Sequence, residues 1–163
     1  MTTSESHYIK VVGLNTHYIA IGKGPPLILL HGLGASLITW RDNLEALSKK
    51  FRVYALDLPG HGDSEKPLSF DYSMENICEF ILEFMDLMKI DIAHIVGNSA
   101  GGAIGLQIAL ERPEKLGKLV LVDSAGLGQD VSIYIRLVTL PILGTILESS
   151  RTGGMRFMLY NVF

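Results

Sequence analysis

Ser99 stands in the pentapeptide Gly97-Asn98-Ser99-Ala100-Gly101, with a further glycine at 102. Gly-x-Ser-x-Gly carries a nucleophilic hydroxyl when a strand enters it and a helix leaves it. Here the apolar run Ile92–Val96 leads in and a helical stretch from Ala100 leads out. A turn that tight needs positions without bulk two residues before and two after the nucleophile, which Gly97 and Gly101 supply. Ser99 is then expected in a strained backbone conformation at a helix N-terminus, its hydroxyl above the sheet. The competing reading of Ser99 is an ordinary helix N-cap.

A second group with chemical meaning is His31-Gly32-Leu33-Gly34, directly after the apolar run Leu27–Leu30. Acyl transfer needs hydrogen-bond donors aimed at the oxygen that becomes negative in the transition state. The backbone amides of Leu33 and Ala100 are the candidates, and Gly32 and Gly34 let the loop pass close to a bound carbonyl. Gly32-x-Gly34 followed by Asp57 at the next strand end also looks like a dinucleotide fingerprint. The third glycine of that fingerprint falls on Leu37, and the serine turn would be left unexplained.

These loops need strands and helices to hold them. Tyr8–Val12 and Thr16–Ile21 alternate and read as an antiparallel hairpin around Gly13-Leu14-Asn15. Leu27–Leu30, Phe51–Leu56, Ile92–Val96 and Lys118–Val122 read as strands buried on both faces. Helices are expected over Ile38–Lys49, over Ser73–Lys89 with Ser73 as N-cap, and over Ala100–Arg112, where Pro113 stops the third. Strands alternating with helices make the class α/β with a mostly parallel sheet. From Asp130 onward the chain turns to apolar helical pieces without an obvious strand.

The 163 residues suit about one domain with a sizeable core. Hydrophobic residues make up 48% of the chain, and the mean hydropathy is +0.31, somewhat more apolar than an average soluble domain. The net charge of −3 is not clustered, which excludes a nucleic-acid footprint. Cys78 is the only cysteine, so no internal disulfide can form, and this fits a reducing compartment. The first residues have neither a basic nor an apolar signal region. Leu137–Leu147, interrupted by Pro141 and Gly144, is short of the ~20 residues that span a bilayer. The expectation is a cytoplasmic protein with no membrane span, no cofactor and no metal; the histidine separations suggest no metal site.

Together His31-Gly-Leu-Gly34, Trp40, Asp57-Leu-Pro-Gly-His-Gly-Asp-Ser64, the Ser99 turn and Leu119-Val-Leu-Val-Asp-Ser-Ala-Gly126 resemble the α/β-hydrolase superfamily. The resemblance covers about residues 8–128, in family order. It implies that residues 1–128 are the N-terminal part of the catalytic core. Residues 129–163 would begin a helical cap, incomplete here. In that segment Ile133, Ile135, Leu137, Leu140, Ile142, Leu143, Ile146 and Leu147 would line an apolar pocket or merely pack on the body.

In such enzymes the triad runs in the order serine, acid, histidine. No histidine follows Ser99, and the last one is His94. His7 and His17 lie in the hairpin, His31 and His61 in glycine-rich loops with structural roles, and His94 in the strand before the turn. The expectation is a chain truncated before the last core strands, with its base on a complementing C-terminal fragment. Left alone, the sheet would end on an open edge, and the chain would be unstable or prone to pairing. Asp123, at the end of the sixth strand, is either the catalytic acid or a polar strand end. Asp57 and Asp63 are expected to order the loop beside the site.

The activity implied is hydrolysis of a small apolar ester or acyl compound through an acyl-enzyme at Ser99. Branches that open epoxides or remove halogens carry aspartate where this chain has Ser99. An alternative is hydrolysis of carbon–carbon bonds in ring-cleavage products, which Gly97-Asn98-Ser99 and Gly126-Leu127-Gly128 resemble. A third reading is a non-catalytic chain, truncated or serving as a binding module.

Overall fold

The computed structural model describes residues 6–127. Six strands form one sheet: β1 (Ser6–Val11), β2 (Leu14–Ile21), β3 (Pro26–Leu30), β4 (Arg52–Leu56), β5 (Ala93–Asn98) and β6 (Leu116–Val122). Their spatial order is β1-β2-β4-β3-β5-β6. β1 with β2 and β2 with β4 are antiparallel, whereas β4, β3, β5 and β6 run parallel. This is the α/β-hydrolase arrangement expected from the sequence, an N-terminal antiparallel hairpin on a parallel sheet. The part of the expected cap from 129 to 163 lies outside the described residues.

The continuous apolar runs are explained by helices on both faces of the sheet. α1 (Arg41–Ser48) covers one face, and α2 (Met74–Leu87) and α3 (Ala100–Glu111) cover the other. Alternate residues of β3 and β4 divide between them. Leu27, Leu29, Val53 and Ala55 pack with Trp40 and Leu44. Ile28, Leu30, Tyr54 and Leu56 pack with Ile77, Phe80, Phe84 and Ile104. Each fully buried Leu, Ile, Val or Phe among them contributes about 1.5–3 kcal/mol through burial.

Three sequence expectations shift. The hairpin turns at Val12-Gly13 rather than at 13–15, with φ of 44° and 80°, so that β2 begins at Leu14. Two successive positive φ values match the twist of the flanking strands. The helix expected over Ile38–Lys49 divides into a 3₁₀ turn, Leu37–Trp40, and α1. β6 is not buried on both faces: Val120 and Val122 are exposed, because α3 covers one side and no described residue covers the other. Among the described residues β6 is a sheet edge.

A buried polar clasp fixes the loop after β4. The carboxylate of Asp57 accepts from His17 Nδ1 at 2.7 Å, from the Leu37 amide at 2.7 Å and from the Asp63 amide at 2.9 Å. Ser64 Oγ donates to the Asp57 carbonyl at 2.7 Å and accepts from the His17 amide at 2.9 Å. Position 62 must be glycine, since a Cβ there would lie 2.1 Å from the Asp57 carboxyl carbon. Hairpin, 3₁₀ turn and loop are thereby tied to one side chain. Asp57→Ala strands the His17 and Leu37 donors in the interior and frees the Asp63 amide at its margin, and should cost about 3–5 kcal/mol in urea unfolding. A loss under about 1 kcal/mol would contradict the clasp.

Candidate active site

β5 ends at Asn98 and α3 begins at Ala100, so Ser99 alone makes the turn between them. Its backbone sits at φ 51°, ψ −114°, a conformation that costs a non-glycine residue about 1–3 kcal/mol. An N-cap serine has extended backbone and bonds an amide of the first turn. Ser99 has neither feature, so its hydroxyl is not spent on the helix. The turn is held by main-chain bonds instead: the Ser99 amide donates to Val122 O at 3.0 Å, and its carbonyl accepts from Ala125 at 3.1 Å. Asn98 Nδ2 also donates to Val122 O, at 3.2 Å. A Cβ at Gly97 would come within 2.2 Å of Gly101 O, and one at Gly101 within 2.3 Å of Leu30 O. Both glycines are therefore required by contact.

The loop after β3 lies against this turn. A Cβ on Gly32 would sit 3.1 Å from Ser99 Cβ and 3.0 Å from Asn98 Oδ1. The structure thus brings His31–Gly34 and Ser99 together at the carboxyl ends of adjacent parallel strands, where α/β folds place their sites. The amides of Leu33 and Ala100 donate to no carbonyl of another described residue.

His31 is fully buried. Its Nε2 accepts from the Leu58 amide at 3.1 Å, which requires that nitrogen to be unprotonated. Nδ1 then carries the hydrogen and donates to Gly32 O at 2.8 Å. Burial pushes the His31 pKa down to about 4, and the His61 ring 5.1 Å away adds to the effect, partly opposed by the Gly32 bond and Asp57. Burial lowers His61 as well, and its Nδ1 bonds Pro59 O at 2.9 Å. Burial drives the Cys78 thiol up to about 12, leaving it unreactive at neutral pH.

The other candidates make no hydrogen bond to the Ser99 side chain, although Asp123 lies between Val122 and Ala125, which both bond the Ser99 main chain. His17 is committed to Asp57, while the rings of His7 and His94 pack against Tyr18 and Phe51. None bonds the Ser99 hydroxyl. Asp123 directly follows β6 with φ 44°, is exposed, and bonds no described side chain. Among the described residues no cluster of His, Cys, Asp and Glu could hold a metal, and no helix is long and apolar enough to cross a membrane. From the sequence His17 reads as a hairpin residue, and its neighbours Thr16 and Tyr18 give no sign of the contact with Asp57.

A strand–serine–helix turn with a glycine loop across it is a recurring arrangement, and the family profile of the alpha/beta hydrolase fold matches residues 25–139. The chain belongs to the α/β-hydrolase family. Among relatives of this α/β-hydrolase chain is the 2-hydroxy-6-oxo-6-(2'-aminophenyl)hexa-2,4-dienoic acid hydrolase of Metapseudomonas resinovorans. It is 38% identical over 141 residues, covering 82% of this chain and 48% of the relative. The dihydrolipoyllysine-residue acetyltransferase component of the acetoin cleaving system of Pseudomonas putida is 42% identical over 109 residues, covering 67% and 29%. A solved meta-cleavage product hydrolase from Pseudomonas fluorescens superposes with TM-score 0.76 at 32% identity, covering 96% of this chain and 62% of that one. An epoxide hydrolase from Vigna radiata superposes with TM-score 0.69 at 30% identity, covering 74% and 38%. The chain spans less than half the length of these curated sequence relatives.

The buried His31 gives a stability prediction. The folded chain keeps it neutral down to about pH 4, whereas the unfolded chain takes up the proton near 6.5. Between those values the unfolded state binds more protons, so stability should fall as pH is lowered, by up to about 1.4 kcal/mol per pH unit from this group. Urea midpoints measured from pH 7 to 4 should fall less steeply in His31→Gln. Equal slopes would contradict the assignment.

Proposed function

We propose that this chain carries the nucleophile and oxyanion-binding half of a serine hydrolase that cleaves small apolar esters or related acyl compounds. The observation that carries the reading is the Ser99 turn, strained at φ 51° with its hydroxyl unused and Gly32 packed against it. Ser99 Oγ attacks the carbonyl carbon as its proton passes to a base. The carbonyl oxygen becomes an oxyanion held by the amides of Leu33 and Ala100. Collapse expels the alcohol and leaves an acyl-serine, which water then hydrolyses. The base comes from outside this chain's histidines, all five of which precede Ser99. Serine at the turn weighs against epoxide opening, despite the likeness to an epoxide hydrolase.

A second reading is hydrolysis of a carbon–carbon bond in a dienone acid. It is supported by likeness to the dienoic acid hydrolase and to the meta-cleavage product hydrolase. The nucleophilic half-site would be the same, with a carbanion in place of an alkoxide as leaving group.

Incubation with a fluorophosphonate in imidazole buffer, which supplies a free base, should phosphonylate Ser99, as read by peptide mass spectrometry. Ser99→Ala should remove the label. Labelling elsewhere, or labelling that survives Ser99→Ala, would overturn the proposal. Parallel turnover of a short-chain nitrophenyl ester and a dienone acid decides between the substrate classes.

A further inference from the structure

We infer that Ser6 is a second nucleophilic hydroxyl, with a base in His17 and an orienting carboxylate in Asp57, and that it takes a small acyl group from an activated donor. Three strands bring these residues into line. Side chains of β1 alternate between faces, so Ser6 and Tyr8 share one face. Tyr8 pairs with His17 across the hairpin and Ser6 with Ile19, which puts His17 on the diagonal from Ser6. β2 in turn pairs with β4, where Tyr18 lies opposite Leu56, and Asp57 follows directly. His17 Nδ1 lies 2.7 Å from Asp57 Oδ2, and His17 Nε2 lies 3.1 Å from Ser6 Oγ. Both distances fall within the about 2.6–3.2 Å that joins a nucleophile to its base and the base to a third group.

The proton positions follow from the acceptors. The Asp57 carboxylate only accepts, so Nδ1 carries the hydrogen of a neutral His17 ring and Nε2 is left to accept from the Ser6 hydroxyl. The main chain of His17 is fixed as well: its amide donates to Ser64 Oγ at 2.9 Å, and its carbonyl accepts from the Asp57 amide at 3.0 Å. His17 is 5% and Asp57 2% exposed, whereas Ser6 is exposed, so a buried base serves a hydroxyl that a reagent can reach. The Tyr8 ring, half exposed and 5.0 Å from the His17 ring, offers a flat surface on the same face for an aromatic leaving group. Ser6 Oγ attacks the carbonyl carbon of an aryl ester, its proton passes to His17 Nε2, and the bond from that carbon to the aryl oxygen breaks. The imidazolium gives the proton to the departing oxygen, so the products are acyl-Ser6 and a phenol. The oxyanion donors proposed above belong to the Ser99 turn, so Ser6 is limited to donors whose leaving group departs readily. A fluorophosphonate, which relies on such donors, is left to Ser99.

The full chain is incubated with 4-nitrophenyl acetate in buffer without imidazole, and the rate at which the acetyl group appears on Ser6 is read by peptide mass spectrometry. Unfolding the chain in urea should slow that rate roughly 100-fold or more, the low end of what a positioned base contributes. His17→Asn keeps a donor toward Asp57 and removes the base, and it should slow acetylation by a similar factor while the circular dichroism stays that of the wild type. No acetyl group on Ser6, a rate that survives urea, or an undiminished rate in folded His17→Asn would overturn the inference. Where His17→Asn does not fold, the comparison of folded and unfolded wild type decides. None of these outcomes bears on the Ser99 reading, which has its own label.

Discussion

A strand that becomes a helix across one residue leaves no room for side chains on either side of that residue. This steric limit at Gly97, Ser99 and Gly101 is what the rest of the site depends on. It holds the serine backbone at a positive φ, frees the hydroxyl from capping and leaves the Ala100 amide without a carbonyl partner. The strain is sustained because β5 lies between β3 and β6 and because Val122 and Ala125 bond the serine main chain. A turn in a loop without such neighbours would relax. The chemistry thus rests on burial of a sheet that contains almost no chemistry of its own.

The second half of the site is assembled from a distance. Gly32 reaches Ser99 because β3 and β5 are parallel neighbours in register, with Leu30 opposite Gly97. The loop's conformation depends on Asp57, which ends β4 on the other side of β3. Three loops leave the same end of the sheet, and buried hydrogen bonds rather than apolar contacts lock two of them together. Such networks are worth most where water is excluded, and His31 and Asp57 are both buried.

Much of this was legible in local residue patterns. The apolar runs of β3, β4 and β5 follow from helices on both faces, Ser73 caps α2 as its type suggests, and the glycine spacing around Ser99 encodes the turn. What stayed hidden depends on partners distant in sequence. The helix expected from Ile38 begins instead with a 3₁₀ turn whose first amide, Leu37, donates to Asp57, twenty positions later in the chain. β6 has the composition of a central strand, yet its exposure is set by what lies beside it. His17 reads as one more hairpin residue until β2 is paired with β4 and Asp57 comes within reach. Asp123 is a strand-end acid by sequence; the bonds of Val122 and Ala125 to the Ser99 main chain bring its backbone close to the turn, while its side chain is exposed.

In the proposed function Ser99, Leu33 and Ala100 form one acyl-transfer half-site. Its most direct test is a crystal structure of the chain after phosphonylation, a stable mimic of the tetrahedral intermediate. Phosphorus is expected bonded to Ser99 Oγ, with one phosphoryl oxygen about 2.7–3.1 Å from both the Leu33 and Ala100 nitrogens. A phosphoryl oxygen turned to solvent with both amides unengaged would contradict it.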